Sequence, residues 1–156
     1  MTIKELTDKA ESGDAEAQYQ LALIYFEGKA VDQNLTRAGM WFHQSAKNGN
    51  YKSFGWLSYL YETGIAVAQN YEISLQWLMK LIDADRSNAR VCAAIAGFYY
   101  NGWGTKKNYS EAIKWCFKAA SMGLDMDDKI FQIQCEILFE EIKSGTLQES
   151  DVNEKK

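Results

Sequence analysis

A set of five residues returns along this chain at a nearly fixed interval. Tyr25, Gly28, Asn34, Trp41 and Gly49 recur as Tyr61, Gly64, Asn70, Trp77 and Asp85, each 36 residues later (61−25, 64−28, 70−34, 77−41, 85−49). They return as Tyr99, Gly102, Asn108, Trp115 and Gly123, each 38 residues further on (99−61, 102−64, 108−70, 115−77, 123−85). A repeat of that length is one supersecondary unit that cannot bury its apolar face alone, so neighbouring units must stack. Within each unit an apolar-periodic segment ends at Gly, a loop leads to Asn, and a second periodic segment follows. Gly stops helices and Asn starts them, so each unit is a pair of helices. The chain contains no proline, so nothing breaks these helices internally. The spacing predicts an all-α fold, an α-solenoid of stacked antiparallel helix pairs.

The repeats span residues 14–49, 50–85 and 86–123, the last lengthened by two residues near Arg86 and Ser87. In the first, Asp14 opens a helix to Glu27 with Ala17, Leu21, Ala22 and Tyr25 facing inward. Asn34 caps the second helix, where Ala38, Trp41, Phe42, Ser45 and Ala46 form an i, i+3, i+4, i+7, i+8 stripe. The small residue at Ala22, Ser58 and Ala96 lets two helices approach closely. Residues 2–13 read as the second helix of a half repeat, since Ala10 and Gly13 lie 36 before Ala46 and Gly49 (46−10, 49−13). Residues 124–145 read as a C-terminal capping helix that buries Ile130, Phe131, Ile133 or Ile137 and ends at Gly145. Residues 1–145 are thus expected to form a single domain, with a mobile tail over 146–156.

Other features narrow the function by exclusion. A net charge of −4 without a basic block argues against a phosphate-binding surface and a nucleic-acid partner. The first residues are charged, unlike a secretory signal, and no apolar run approaches the ~20 residues of a membrane span. Cys92, Cys116 and Cys135 are widely spaced, as expected of reduced, buried thiols in a cytoplasmic protein. The one histidine, His43, has no Cys or acidic ligand near it in sequence, which makes a poor metal site and a poor catalytic base. Gly102-Trp103-Gly104 is not followed by the Lys-Ser or Lys-Thr of a phosphate loop and is explained by the repeat. No cofactor, metal or catalytic residue is expected.

The pattern resembles the Sel1-like repeat family, relatives of the tetratricopeptide repeats. Tyr99, Gly102, Gly104, Ala112, Trp115, Lys118, Ala119, Ala120 and Gly123 of the third unit carry the likeness, as do Ala17, Leu21, Tyr25, Gly28, Val31, Ala38, Trp41, Ala46 and Gly49 of the first. Unit two departs from it at Ser74, Leu81, Ile82 and Asp85. The resemblance implies a right-handed superhelix with capping helices at both ends, and a protein-binding scaffold rather than an enzyme. Partners of related repeats meet the first helix of each pair on the side facing away from Leu21 and Tyr25. In this chain those positions are Glu16, Tyr19, Leu23, Phe26 and Glu27; Lys52, Gly55, Tyr59, Glu62 and Thr63; and Arg90, Ala93, Gly97, Tyr100 and Asn101, with Trp56 flanking them. Exposed aromatic residues in a groove are typical contact anchors. The expected partner is one cognate protein, most concretely a toxin domain held by this chain as an immunity or inhibitor protein. The alternative is an adaptor that recruits peptides or assembles a signalling or envelope complex.

Overall fold

A computed structural model describes residues 2–84, 88–123, 141 and 143–145. Among them are seven α-helices and no strand: α1 (Ile3–Glu11), α2 (Ala15–Glu27), α3 (Leu35–Lys47), α4 (Lys52–Thr63), α5 (Tyr71–Asp83), α6 (Ala89–Asn101) and α7 (Tyr109–Ser121). The expected helix pairs are α2–α3, α4–α5 and α6–α7, with α1 as the unpaired half repeat. The all-α solenoid architecture expected from the spacing is therefore present. The expected capping helix over 124–145 lies outside the described residues except for Glu141, Lys143, Ser144 and Gly145. The tail over 146–156 and the insertion at Arg86 and Ser87 lie outside them entirely.

Local chemistry sets the helix ends. Asn34, Asn70 and Asn108 accept hydrogen bonds from the backbone N–H groups of Arg37, Ile73 and Glu111 at 2.9, 3.0 and 3.0 Å. Asp14 and Asn88 cap α2 and α6 in the same way, and Thr2 with Glu5 forms a reciprocal capping box before α1. Gly28, Gly64 and Gly102 end the first helices with φ of 68°, 74° and 73°. A Cβ at Gly28 would lie 2.8 Å from Gln33 Cβ, so the loop folds back too closely for a side chain. The conserved offset of Tyr and Asn within each repeat also has a backbone cause. The N–H groups of Asn34, Asn70 and Asn108 donate to the carbonyls of Tyr25, Tyr61 and Tyr99 at 2.9, 2.8 and 2.9 Å. One bond thus closes each interhelix loop and fixes its length.

The chain divides into two compact units, residues 1–86 and 87–156. In the first, α1 to α5 pack in sequence. Leu6, Ala10, Ala17 and Leu21 make one buried cluster, and Ala22, Ala38, Phe42, Ala46, Leu57 and Leu60 make another. Polar bonds also join neighbouring helices here: Gln18 Nε2 donates to the Ala10 carbonyl at 2.8 Å, linking the half repeat to repeat one, and Ser45 Oγ donates to the Ala15 carbonyl at 2.7 Å within repeat one. Ser58 and Ser74 bond to each other across α4 and α5 at 2.9 Å. In the second unit α6 packs on α7, and Cys92, Ile95, Ala96, Phe98, Ala112, Cys116 and Ala119 are buried.

Burial differs from the expected stripes at several positions. Gln18, Leu60 and Phe98 are fully buried although the helical pattern did not select them. A helix in a stack packs on its own partner and on the neighbouring repeat, so its apolar face is wider than one stripe. The repeated tryptophans Trp41, Trp77 and Trp115 are half-buried. The following residue, Phe42, Leu78 or Cys116, is the one that enters the interior.

Candidate functional site

On α4, Lys52, Gly55, Trp56, Tyr59 and Glu62 fall at helical spacing on the side away from buried Ser53, Leu57 and Ser58. On α2 the matching side carries Glu16, Tyr19, Leu23, Phe26 and Glu27, away from Ala17, Leu21 and Ala22. Phe26, Lys52, Gly55, Trp56 and Tyr59 line one open pocket of about 450 Å³. Gly55 makes the space: it stands where the preceding repeat has Tyr19 (55−19 = 36). A Cβ there would meet no atom nearer than Leu81 Cδ1 at 4.0 Å.

Trp56 is the hub of this pocket. One face of its indole stacks on buried Phe42, with centroids 5.2 Å apart and planes 9° apart. Phe26 and Tyr59 meet it edge-on at 4.8 and 6.2 Å. The half-buried indole is therefore held by the core and presented to the pocket at once. Tyr59 is 42% exposed, so it is free to contact a partner. Leu23 packs partly on the same apolar cluster.

The charged rim is ordered. Lys52 Nζ bonds both Glu16 carboxylate oxygens at 3.1 Å and lies 5.6 Å from the Tyr19 ring centroid. Glu16 and Lys52 are equivalent positions of successive repeats (52−16 = 36), so the pair bridges the stack. Burial pushes the Glu16 carboxyl up, but hydrogen bonds from Lys52, Asn50 and Gln20 outweigh it and hold the group below the usual range. The hydrogen bond to Glu16 in turn raises the Lys52 ammonium. Glu27 pairs with Lys29 at 3.0 Å on the outer edge. Glu62 is half-buried, and burial pushes its carboxyl up.

Arg90, Tyr100 and Asn101 belong to α6, in the second unit. Arg90 is exposed. Tyr100 is half-buried and meets Tyr109 edge-on at 5.6 Å; burial, then Glu141 and Tyr109, push its phenol up. Asn101 Nδ2 donates to the Gly97 carbonyl at 2.9 Å, which turns its amide back onto its own helix. Trp103 is 39% exposed and meets Phe98 edge-on at 5.9 Å.

The other side of the first unit holds a feature that sequence reasoning missed. His43, Gln44, Ala46, Lys47, Phe54, Trp77 and Lys80 line a second pocket of about 480 Å³. His43 Nε2 lies 3.1 Å from the Tyr61 hydroxyl, and burial pushes its imidazole pKa down. Its partner is the repeated tyrosine of the next unit, which distance along the chain conceals. Among the described residues no group of three His, Cys, Asp or Glu could hold a metal ion, and no helix is long and apolar enough to cross a membrane. Cys92 and Cys116 are buried.

Comparison with known proteins places these elements. The family model described as Sel1 repeat matches residues 15–50, 55–85 and 89–124. A secretory immunoglobulin A-binding protein, EsiB of Escherichia coli O6:H1, is 40% identical over 45 residues, which are 29% of this chain and 9% of that protein. A Sel1 repeat protein from Oxalobacter formigenes superposes with a TM-score of 0.72 at 30% identity, over 78% of this chain and 49% of the other. A protective antigen with an SLR fold, present in uropathogenic Escherichia coli strains, gives a TM-score of 0.73 at 26% identity, over 97% of this chain and 34% of the other. The chain thus spans less than half the length of each of these relatives.

Proposed function

The chain belongs to the Sel1 repeat family, whose members generally mediate protein–protein interaction without catalysis, and from that premise we propose that its α2/α4 face holds a cognate protein. One observation carries this reading. Trp56 is braced by Phe42 from behind and flanked by Phe26 and Tyr59, so a rigid aromatic pocket opens beside an ordered Glu16–Lys52 pair. Preorganised aromatic anchors with a polar rim are what protein interfaces use, because little side-chain entropy is lost on docking. A relative named for binding secretory immunoglobulin A, a protein ligand, supports the same class. Arg90, Tyr100 and Asn101 of α6 are proposed as contact residues of the second unit.

The more specific role is an inhibitor that covers the working surface of a basic toxin domain in the cytoplasm. The net charge of −4 supports it through complementarity, and the three widely spaced cysteines, Cys92, Cys116 and Cys135, support a reducing compartment. Capture from the native host with wild-type and Tyr59→Ala baits tests the binding face. Tyr59 is exposed, so the variant keeps its fold and loses most of the captured partner; equal capture refutes the assignment. Co-expression with the captured protein tests inhibition, and failure to protect the cell ends the inhibitor role.

A second reading is favoured by the size of the pocket. About 450 Å³ admits one or two side chains, which suits an adaptor that takes a short linear segment. Calorimetry with a partner domain and with its peptides separates the two. An adaptor retains most of its affinity for a peptide, whereas an inhibitor needs the folded domain.

A further inference from the structure

Three glutamates lie on the α2/α4 face, and two are satisfied. Glu16 holds Lys52 at 3.1 Å and Glu27 holds Lys29 at 3.0 Å. Glu62 differs: among the described residues no lysine, arginine or histidine lies within ion-pairing distance, and no donor hydrogen-bonds its carboxylate. It is half-buried, and burial raises its carboxyl pKa. A carboxylate that has lost part of its water without gaining a partner is destabilising, and an incoming cation relieves that cost.

The position of Glu62 ties it to the pocket. It lies one turn beyond Tyr59, which lines the pocket, on the same face of α4. The pocket itself is aromatic on three sides, and Glu16 already neutralises its one lysine. An apolar side chain suits it better than an anion. Side chains two apart in an extended peptide point the same way, about 6–7 Å from each other, close to the separation of adjacent turns on a helix face.

We propose that the partner presents an extended apolar–x–basic segment, its apolar side chain seated among Phe26, Trp56 and Tyr59 and its basic side chain paired with Glu62. This rests on the protein-binding reading and names the chemistry that reading leaves open.

The test is an NMR titration of the full chain, read at the Trp56 indole N–H. Its probes are the peptide acetyl-Gly-Leu-Gly-Arg-Gly-amide and two versions, one with Glu for Arg and one with Gly for Leu. The Leu/Arg peptide is expected to shift the Trp56 resonance and to bind about tenfold more tightly than the Glu version. The Gly version is expected to lose the shift. Glu62→Gln is expected to erase the preference for Arg over Glu while the dependence on Leu remains. Equal binding of the Arg and Glu peptides, a preference that survives Glu62→Gln, or no Trp56 shift with any peptide overturns the segment. The protein-binding reading fails separately, when a Tyr59→Ala bait captures as much native partner as the wild type.

Discussion

Repeat two carries a polar device that its neighbours lack, and its energetics follow from the geometry. Ser74 Oγ donates to the Ser58 carbonyl at 2.9 Å, which leaves the Ser58 hydroxyl to donate to Ser74 Oγ, also at 2.9 Å. Both side chains are buried, Ser58 at 3% and Ser74 at 0% exposure. Ser74→Ala removes the acceptor of a buried hydroxyl and is expected to cost about 1–3 kcal/mol. Ser58→Ala leaves Ser74 its carbonyl partner and is expected to cost less, about 0.5–1.5 kcal/mol. The double variant removes both hydroxyls and orphans neither. Repeat one has Ala22 and Ala38 at these positions and repeat three has Ala96 and Ala112 (58−22, 74−38, 96−58, 112−74), so an Ala–Ala contact fits this fold. The double variant is therefore expected to cost less than Ser74→Ala alone, a coupling of about 1 kcal/mol or more. Urea unfolding of all four proteins, followed by tryptophan fluorescence and circular dichroism, measures the cycle. Additivity within about 0.3 kcal/mol refutes the shared bond as the reason the pair is serine.

Further perturbations address strain, packing and charge. Ala66 is the one non-glycine residue with positive φ among those described, at 66°, so Ala66→Gly is expected to raise stability by about 0.5–1 kcal/mol in urea unfolding. Phe42 is fully buried while Trp41 is half-buried beside it, so Phe42→Ala is expected to cost about 3–5 kcal/mol and Trp41→Ala clearly less. The reverse order would mean that the tryptophan is the principal core anchor. Trp115→Ala is likewise expected to fall below a full core truncation, because its indole is half-buried under Lys118 at 5.0 Å. Burial holds the His43 pKa below its ordinary value of 6.5, so the unfolded chain takes up the proton first as pH falls. Stability is therefore lost as pH drops through 6.5 toward the folded-state value and levels off below it, a decline that His43→Gln is expected to remove. An unchanged pH profile in that variant refutes the burial effect.

Much of the fold was legible in the residues because its determinants are short-ranged. An asparagine side chain reaches the N–H three residues on, a glycine admits positive φ, and a backbone bond from Asn34 to Tyr25 closes the loop between them. Each acts within a dozen residues, so each recurs with the repeat and shows as spacing. Part of the binding face was legible for the same reason, since helical register alone puts Lys52, Gly55, Trp56 and Tyr59 on one side of α4.

Packing between repeats decided the rest. Side-chain periodicity does not encode the offset at which one helix settles on another, and that offset selects which neighbour a ring or a charge meets. It turned the Trp56 indole onto Phe42, joined Glu16 to Lys52, brought Tyr61 to His43, and buried Phe42 more deeply than Trp41. It also left Glu62 without a partner among the described residues while its neighbours on the same face found theirs. The residues determined by themselves that helix pairs would form and where each would begin and end. Only the tertiary structure decided which side chains became rigid enough to receive another molecule, because rigidity comes from contacts made across the stack.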